Sequence, residues 1–231
     1  MALSSTVYIK RKVLAGSLLL INLSAGMSAF AQDTVPKISH EVFLAFDGWG
    51  LAEQLVVPGK YSINGKMGWI HRTSFAITVD GGYMHFLRQV NDSIKSFDYR
   101  SSGYYVRGGV ERNIFRRNRP NERNFIFLGL HLGYSNTQHR ADNIVIPDKF
   151  WGTRYFSIGS SVHQSVWLDF SIGLRTQLAR YFALGWEVKL SRIIYTSSGG
   201  SITPYYLAGF GKSRNALLLG VNYYLYYTFG W

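Results

Sequence analysis

The amino-acid sequence predicts an all-β fold, a single antiparallel up-and-down transmembrane β-barrel of about eight strands that follows a cleavable signal peptide. Three observations support this fold class. The chain is 47% hydrophobic and 16% aromatic, yet its mean hydropathy is only −0.02. Beyond residue 31 it has no apolar run of the roughly 18 residues that a membrane-spanning helix needs. Apolar side chains recur instead at every second position, which is the period of a β-strand.

The N-terminal segment has the composition of a secretory signal peptide. A basic segment, Lys10 to Lys12, precedes an apolar run from Val13 to Leu23, and small residues then lead to Ala29-Phe30-Ala31. This order is typical of signals that are cleaved after export. We therefore expect residues 1–31 to be removed after passage through the general secretory route, and residues 32–231 to form the barrel. The alternative is a retained amphipathic anchor.

The C-terminal segment shows the alternation most clearly. From Leu217 onward one face is apolar, while the other carries residues such as Asn222 and Thr228. Residues 166–174 and 182–190 repeat the pattern, with charges on the second face. A soluble sheet would turn its apolar face into a protein core, whereas a membrane barrel gives that face to lipid and the other to a polar lumen. The remaining predicted strands are weaker or noisier, and lie near residues 41–49, 61–69, 75–83, 104–111 and 126–134.

The connections between the predicted strands fall into two sets. His71 to Thr73 and Ala179 to Tyr181 are short, whereas Gln138 to His163 and Thr196 to Ser213 are long. Short turns of such barrels face the periplasm and long loops face the exterior, so both termini are expected in the periplasm. The long loops gather aromatic residues, which predicts an outer interfacial belt or an exposed binding patch. These aromatic residues are Trp151, Tyr155, Phe156, Tyr205, Tyr206 and Phe210.

The net charge of the chain indicates which classes of partner to expect. The formal net charge is +12, and removal of the signal peptide takes away three positive charges and leaves +9. For an exported protein, the phosphates of outer-membrane lipids and lipopolysaccharide are nearer counter-charges than nucleic acid, which we do not expect as a partner. The chain has no cysteine, so it has no disulfide framework and no lipid-attachment cysteine.

The chain ends in an apolar stripe that favours assembly into the bacterial outer membrane. The last strand of such a barrel can pair with the barrel-assembly machinery through its backbone, while alternate side chains fill apolar sites. The alternative is a hydrophobic edge strand that happens to end the chain. The predicted assembly signal consists of Leu225, Tyr227, Phe229 and Trp231.

Two groups of charged residues are candidate sites. The first is a polar network in the lumen, where narrow barrels fill their interior with paired side chains: Asp80, Arg107, Glu111, His131, Asp169, Arg175, Glu187 and Lys189. The second is a basic periplasmic turn, interpreted either as a solvated turn or as a contact for inner-leaflet phosphates or a periplasmic polymer: Arg112, Arg116, Arg117, Arg119 and Arg123.

Four short motifs resemble a known family. They are Phe97-Asp98-Tyr99, Trp167-Leu168, Leu184-Gly185-Trp186 and Gly209-Phe210-Gly211-Lys212. Their order and spacing resemble an uncharacterised family of outer-membrane β-barrel proteins from Bacteroidetes, a domain of unknown function, over residues 97–231. The resemblance implies a barrel and carries over no catalytic or ligand-binding residues.

These patterns leave three functions open. The leading hypothesis is a small, non-enzymatic outer-membrane barrel that contributes to envelope structure, or to adhesion and partner binding through its outer loops. One alternative is a membrane-embedded hydrolase or acyltransferase with His131 as base, although Ser135 lies about 13 Å along the same strand at 3.3 Å per residue. The other is a narrow pore. No cofactor is predicted, and His139 and His163 are too few for a predicted metal site.

Overall fold

The structure is a computed structural model that describes residues 40–71, 74–91, 96–114, 124–147, 150, 152–197, 203–213 and 217–230. The predicted signal peptide, residues 1–31, lies outside this part. The described residues form strands and one helix in the following order: β1 (His40–Asp47), α1 (Gly48–Val56), β2 (Lys60–His71), β3 (Phe75–Asn91), β4 (Ser96–Asn113), β5 (Phe125–Ile146), β6 (Arg154–Gln177), β7 (Phe182–Thr196), β8 (Tyr206–Leu207), β9 (Gly211–Lys212) and β10 (Leu217–Gly230).

Eight strands close into a ring. β1 to β7 pair in sequence order, every pair antiparallel, and β10 lies between β7 and β1. The closing seam runs from Glu41 opposite Gly230 to Asp47 opposite Tyr224. Closure pairs the backbone groups that an open sheet edge would leave unsatisfied in lipid. The predicted fold class, an antiparallel up-and-down barrel of about eight strands, is confirmed.

The outer surface of the barrel is apolar, and the polar side chains point inward. On β5, Leu132 is 55% exposed while the preceding His131 is 1% exposed. Every barrel strand places exposed apolar side chains on the outside, as in a transmembrane β-barrel, where the acyl chains of the bilayer cover this surface. Examples, one from each strand in chain order, are Leu44, Ile63, Val79, Val106, Leu132, Phe170, Leu190 and Val221.

A short helix replaces the outer end of the first strand. The first strand was predicted over Glu41 to Trp49, but it ends at Asp47 because the Asp47 carboxylate caps α1 by accepting a hydrogen bond from the Trp49 backbone N–H at 3.0 Å. β2 and β10 continue beyond β1, and α1 contacts both of them. The described part of the chain contains no helix with the length and hydropathy needed to cross a bilayer.

The two predicted long loops are largely ordered structure. The segment Gln138 to His163 was predicted as a loop, but β5 continues to Ile146 and β6 begins at Arg154, so only residues 147–153 connect them. The segment Thr196 to Ser213 contains the β8–β9 hairpin. The prediction failed at β5 because the strand rises above the lipid, where its outward side chains become polar although its backbone pairing continues.

Candidate functional site

Three layers of side chains fill the barrel. The end of the barrel that carries His40 and Gly230 is the one predicted to face the periplasm, and we call it the periplasmic end. The layer at this end is mainly apolar and aromatic, and includes Phe43, Phe125 and Tyr226. The outer layer is also aromatic, and includes Phe86, Tyr105 and Trp167. Between them lies a layer of buried ionisable side chains, which we call the ionic layer: Lys66, Asp80, Arg107, Glu111, His131, Asp169 and Glu187. Each layer depends on strand alternation, which directs every second side chain inward.

Arg107 is the centre of the ionic layer. Its guanidinium donates from Nε to Asp80 Oδ2 at 2.7 Å, from Nη1 to Asp169 Oδ2 at 3.1 Å and from Nη2 to Glu187 Oε1 at 3.1 Å. Asp80 lies directly across from Arg107 on β3, whereas Asp169 and Glu187 reach it from β6 and β7 across the lumen. One cation therefore contacts three buried carboxylates and links four strands.

Lys66 extends the ionic layer, although it was not among the predicted lumen residues. Its Nζ lies 2.5 Å from Glu111 Oε1 and 2.9 Å from Glu187 Oε2. His131 Nε2 is 3.4 Å from the same Glu111 oxygen. The signal for Lys66 was present in the sequence, since it occupies an inward position in the alternation of β2. Because Glu187 contacts both Lys66 and Arg107, the layer is one connected network.

The eight predicted lumen residues are all buried, but they do not form one cluster. Six lie in the ionic layer. Arg175 lies nearer the periplasm, where it pairs with Glu41 and packs within about 5 Å of the Phe43, Phe125 and Tyr226 rings. Lys189 lies toward the exterior, with Nζ 3.4 Å from the Gly209 carbonyl oxygen.

The surroundings of His131 do not suit a lipid-modifying enzyme. A hydroxyl and a carboxylate are close, since Thr78 Oγ1 is 3.2 Å and Glu111 Oε1 is 3.4 Å from His131 Nε2. All three side chains are buried inside the barrel, where an outer-leaflet lipid on the far side of the barrel wall has no access to them. Ser135 Oγ is buried and has no hydrogen-bond partner within the described residues.

The β8–β9 hairpin folds into the outer mouth of the barrel, and we call residues 205–212 the plug. Leu207, Ala208 and Phe210 are buried in the outer aromatic layer, with the Phe210 ring 6.1 Å from that of Trp167. The prediction that the aromatic residues of this loop form an outer belt or an exposed patch is therefore wrong for Phe210. The barrel interior offers apolar rings that the loop can cover.

Hydrogen bonds from the barrel wall fix the plug. The Ala208 backbone N–H donates to Thr137 Oγ1 at 3.2 Å, and Ser101 Oγ donates to the Tyr206 carbonyl at 3.0 Å. Lys60 Nζ lies 2.5 Å from the Tyr206 hydroxyl and also pairs with Glu53 of α1. Gly209 adopts a φ of 72°, and a Cβ there would overlap the Tyr105 ring. Hydrogen bonds from the wall to the backbone groups of Tyr206 and Ala208 therefore hold the plug in addition to its apolar packing.

Two histidines lie at the outer mouth, above the apolar belt. The ring centroids of His139 and His163 are 5.1 Å apart, and His139 Nδ1 is 2.7 Å from the Tyr99 hydroxyl. Burial, together with neighbouring His163, lowers the pKa of His139 to about 4. Burial also lowers the pKa of His163. Both rings are therefore neutral at physiological pH, and they pack as part of the aromatic layer.

The β5–β6 hairpin projects beyond the barrel on the outer side. Phe150 near its tip is 92% exposed, and Tyr155 at the start of β6 is 76% exposed. β7 pairs with β6 only from Ser165 onward, and Gln164 still bonds to Ser197. The segment 154–163 therefore has β5 on one side and no paired strand on the other within the described residues. Exposed aromatic side chains beside an open strand edge are suited to binding another protein.

The structure describes part of the predicted basic turn and of the assembly signal. Arg112 is exposed on the outside of β4, while the other four arginines, at positions 116, 117, 119 and 123, lie outside the described residues. Leu225, Tyr227 and Phe229 are exposed on the lipid-facing side of β10, and Trp231 lies outside the described part. Among the residues described, no group of three or more His, Cys, Asp or Glu side chains is placed to hold a metal ion.

An apolar exterior, a closed strand ring and a filled interior define a plugged β-barrel of the outer-membrane type. The sequence model of a domain of unknown function, DUF6048, matches residues 83–230, and the chain belongs to this family. The family assignment confirms the resemblance predicted from the motifs, and it extends further toward the N-terminus. The Bacteroidetes origin stays a prediction.

Solved structures with a similar fold share little sequence with the chain. Ail, the attachment invasion locus protein of Yersinia pestis, is 12% identical, with 83% of this chain and 99% of Ail covered and a TM-score of 0.38. CarO of Acinetobacter baumannii is 11% identical, with 87% and 100% covered and a TM-score of 0.40. CarO2 of the same organism is 9% identical, with 84% and 99% covered and a TM-score of 0.41. A comparison with curated proteins gave no match.

Proposed function

We propose that this chain is a non-enzymatic, non-conducting barrel of the bacterial outer membrane that presents its outer hairpins to a partner at the cell surface. The observation that supports this function most strongly is the filled interior. An eight-stranded barrel has an interior only about as wide as the side chains that fill it. Here the ionic layer and the plug lie one above the other, and both are buried.

The apolar exterior supports the proposed location. Closed antiparallel barrels with outward apolar belts are typical of bacterial outer membranes. On this proposal, residues 1–31 direct export through the general secretory route, and the terminal stripe ending at Trp231 engages the barrel-assembly machinery. Lipopolysaccharide and outer-membrane lipids then surround the barrel, and their phosphates balance the positive charge of the mature chain.

The β5–β6 hairpin supports the proposed binding role. Its strands rise above the apolar belt, since the outward positions Asn136, Gln138 and Arg140 are polar. A strand pair that only closed a barrel would not need this extension. The exposed Phe150 and Tyr155 give it apolar surface away from the membrane. Binding through this hairpin is favoured over a purely structural role for that reason.

Planar-bilayer recordings test the closed interior. We expect the refolded protein to give no stepwise conductance, because ions would have to cross the plug and then the ionic layer. A variant in which a Gly-Ser linker replaces the plug is also expected to remain closed, since Arg107 and its three carboxylates still fill the middle of the barrel. Reproducible single-channel steps from the unmodified protein would contradict the proposal and favour the narrow pore.

A further inference from the structure

A pair of histidines lies at the periplasmic rim, far from the plug. His40 at the start of β1 is directly opposite His71 at the end of β2. Their Nδ1 atoms are 3.4 Å apart, and their ring centroids are 4.9 Å apart. Both side chains are half-buried and lie on the outward face of the barrel, at the ends of their strands. Nothing in the proposed function of the outer hairpins uses this pair.

The separation of the two nitrogens is suited to a metal ion. Zinc binds histidine nitrogen at about 2.0–2.1 Å in tetrahedral geometry, which places two ligand nitrogens about 3.3–3.4 Å apart. A protein hydrogen bond from N–H is usually about 2.7–3.2 Å long, so 3.4 Å is long for a hydrogen bond between the two rings. In a square-planar complex two adjacent ligand nitrogens lie closer together than in a tetrahedral one. The separation of the two Nδ1 atoms therefore favours tetrahedral ions over copper(II).

Neighbouring groups hold both rings in place without competing for the ion. The Trp69 ring is stacked on His40 with centroids 5.6 Å apart, and it lies 5.4 Å from the His71 ring. Glu41, the next residue on β1, points into the barrel and pairs with Arg175. Strand pairing fixes the two backbones and Trp69 restricts the rings, which reduces the ordering cost of binding.

We propose that His40 and His71 bind a divalent transition-metal ion of tetrahedral preference, with zinc as the expected ion, at the periplasmic rim of the barrel. Two histidines in a sequence do not by themselves predict a metal site, but here the pairing of β1 with β2 places the two Nδ1 atoms at the spacing of zinc ligands. Water molecules complete the coordination, because the described residues supply no third histidine or carboxylate to the pair. Such a site is open to exchange, unlike a closed structural zinc site. The bound ion links β1 to β2 next to the seam where β1 pairs with β10.

Zinc titration of the refolded, tag-free barrel in detergent micelles tests this site by isothermal calorimetry. The chain has no cysteine, and its other histidine pair, His139 and His163, is buried in the outer aromatic layer. We expect one zinc ion per barrel, with affinity reduced more than about tenfold in His40→Gln and in His71→Gln, because each removes one of two protein ligands. His85→Gln is the matched control, since His85 is a partly exposed histidine on β3 that packs on Tyr61, and it should bind as the unmodified protein does.

A second readout separates loss of binding from loss of folding. Heat-modifiable gel mobility reports the folded barrel for each variant, and zinc should raise the unfolding temperature of the unmodified protein and of His85→Gln but not of His71→Gln. Cobalt bound at the pair should also quench Trp69 fluorescence. Absence of zinc binding, equal binding by His71→Gln, or an equal loss in His85→Gln would each overturn the proposal. These outcomes are independent of conductance, so they do not affect the proposed function.

Discussion

Replacement of Arg107 by methionine is expected to destabilise the folded barrel by about 3–5 kcal/mol, the usual cost of breaking a buried ion pair. Methionine retains much of the side-chain volume but removes the guanidinium that contacts Asp80, Asp169 and Glu187 together. Those carboxylates would then be buried with fewer compensating charges. Urea unfolding in micelles, followed by gel mobility and tryptophan fluorescence, measures the change.

Two further variants test whether charge is the cause. Arg100→Met is the matched control, since Arg100 lies on the same strand but is exposed on the outside, and its effect should stay within about 0.5 kcal/mol. Combining Arg107→Met with Glu187→Gln and Asp80→Asn should recover part of the loss, because it removes two of the uncompensated charges. If Arg107→Met unfolds at the same urea concentration as the unmodified protein, the ionic layer does not stabilise the barrel.

Asp47→Ala is expected to cost at least about 3 kcal/mol. The buried carboxylate accepts four hydrogen bonds where β1 ends, so the loss combines a helix cap with several unsatisfied buried donors. Oδ1 accepts from the Trp49 and Tyr223 backbone N–H groups, and Oδ2 accepts from the Asn64 and Asn222 side-chain amides. This one side chain joins α1, β2 and β10 beside the seam.

The same unfolding assay measures this loss. Asp47→Asn should be intermediate, because it keeps one acceptor but turns an amide N–H toward the amides of Asn64 and Asn222. Asp142→Ala is the matched control, since Asp142 pairs with the exposed Arg140 at the surface and its loss should cost less than about 1 kcal/mol. Equal stability of Asp47→Ala and Asp142→Ala would show that the seam does not depend on Asp47.

The barrel could be predicted from the sequence because a lipid-facing strand requires an apolar side chain at every second position. On β5 the apolar residues from Leu128 to Tyr134 alternate with small or polar ones, and the structure places the two sets on opposite sides of the barrel wall. The same alternation placed Asp80, Arg107 and Glu187 inside. The alternation does not tell how far along the barrel axis each inward residue lies, because that position depends on the register between strands. The sequence alone therefore could not separate Arg175 and Lys189 from the ionic layer.

The plug and α1 could not be predicted for a different reason. Aromatic residues such as Phe210 are equally compatible with an outer belt and with a barrel mouth, and only the shape of the cavity decides between them. α1 is nine residues long and follows a strand without a break, so its main signal is the capping side chain of Asp47. Capping by an aspartate is common in turns as well.

Spin labelling along β5 tests most directly that the apolar exterior of the barrel faces lipid. The chain has no cysteine, so single cysteines at Leu132 and Gln138 can each carry one nitroxide on the outward side of the same strand. In reconstituted vesicles, we predict that a label at position 132 is relaxed by oxygen dissolved in the bilayer and a label at position 138 by a water-soluble nickel complex. Relaxation of both labels by the nickel complex, or shielding of position 132 from both reagents, would contradict the account.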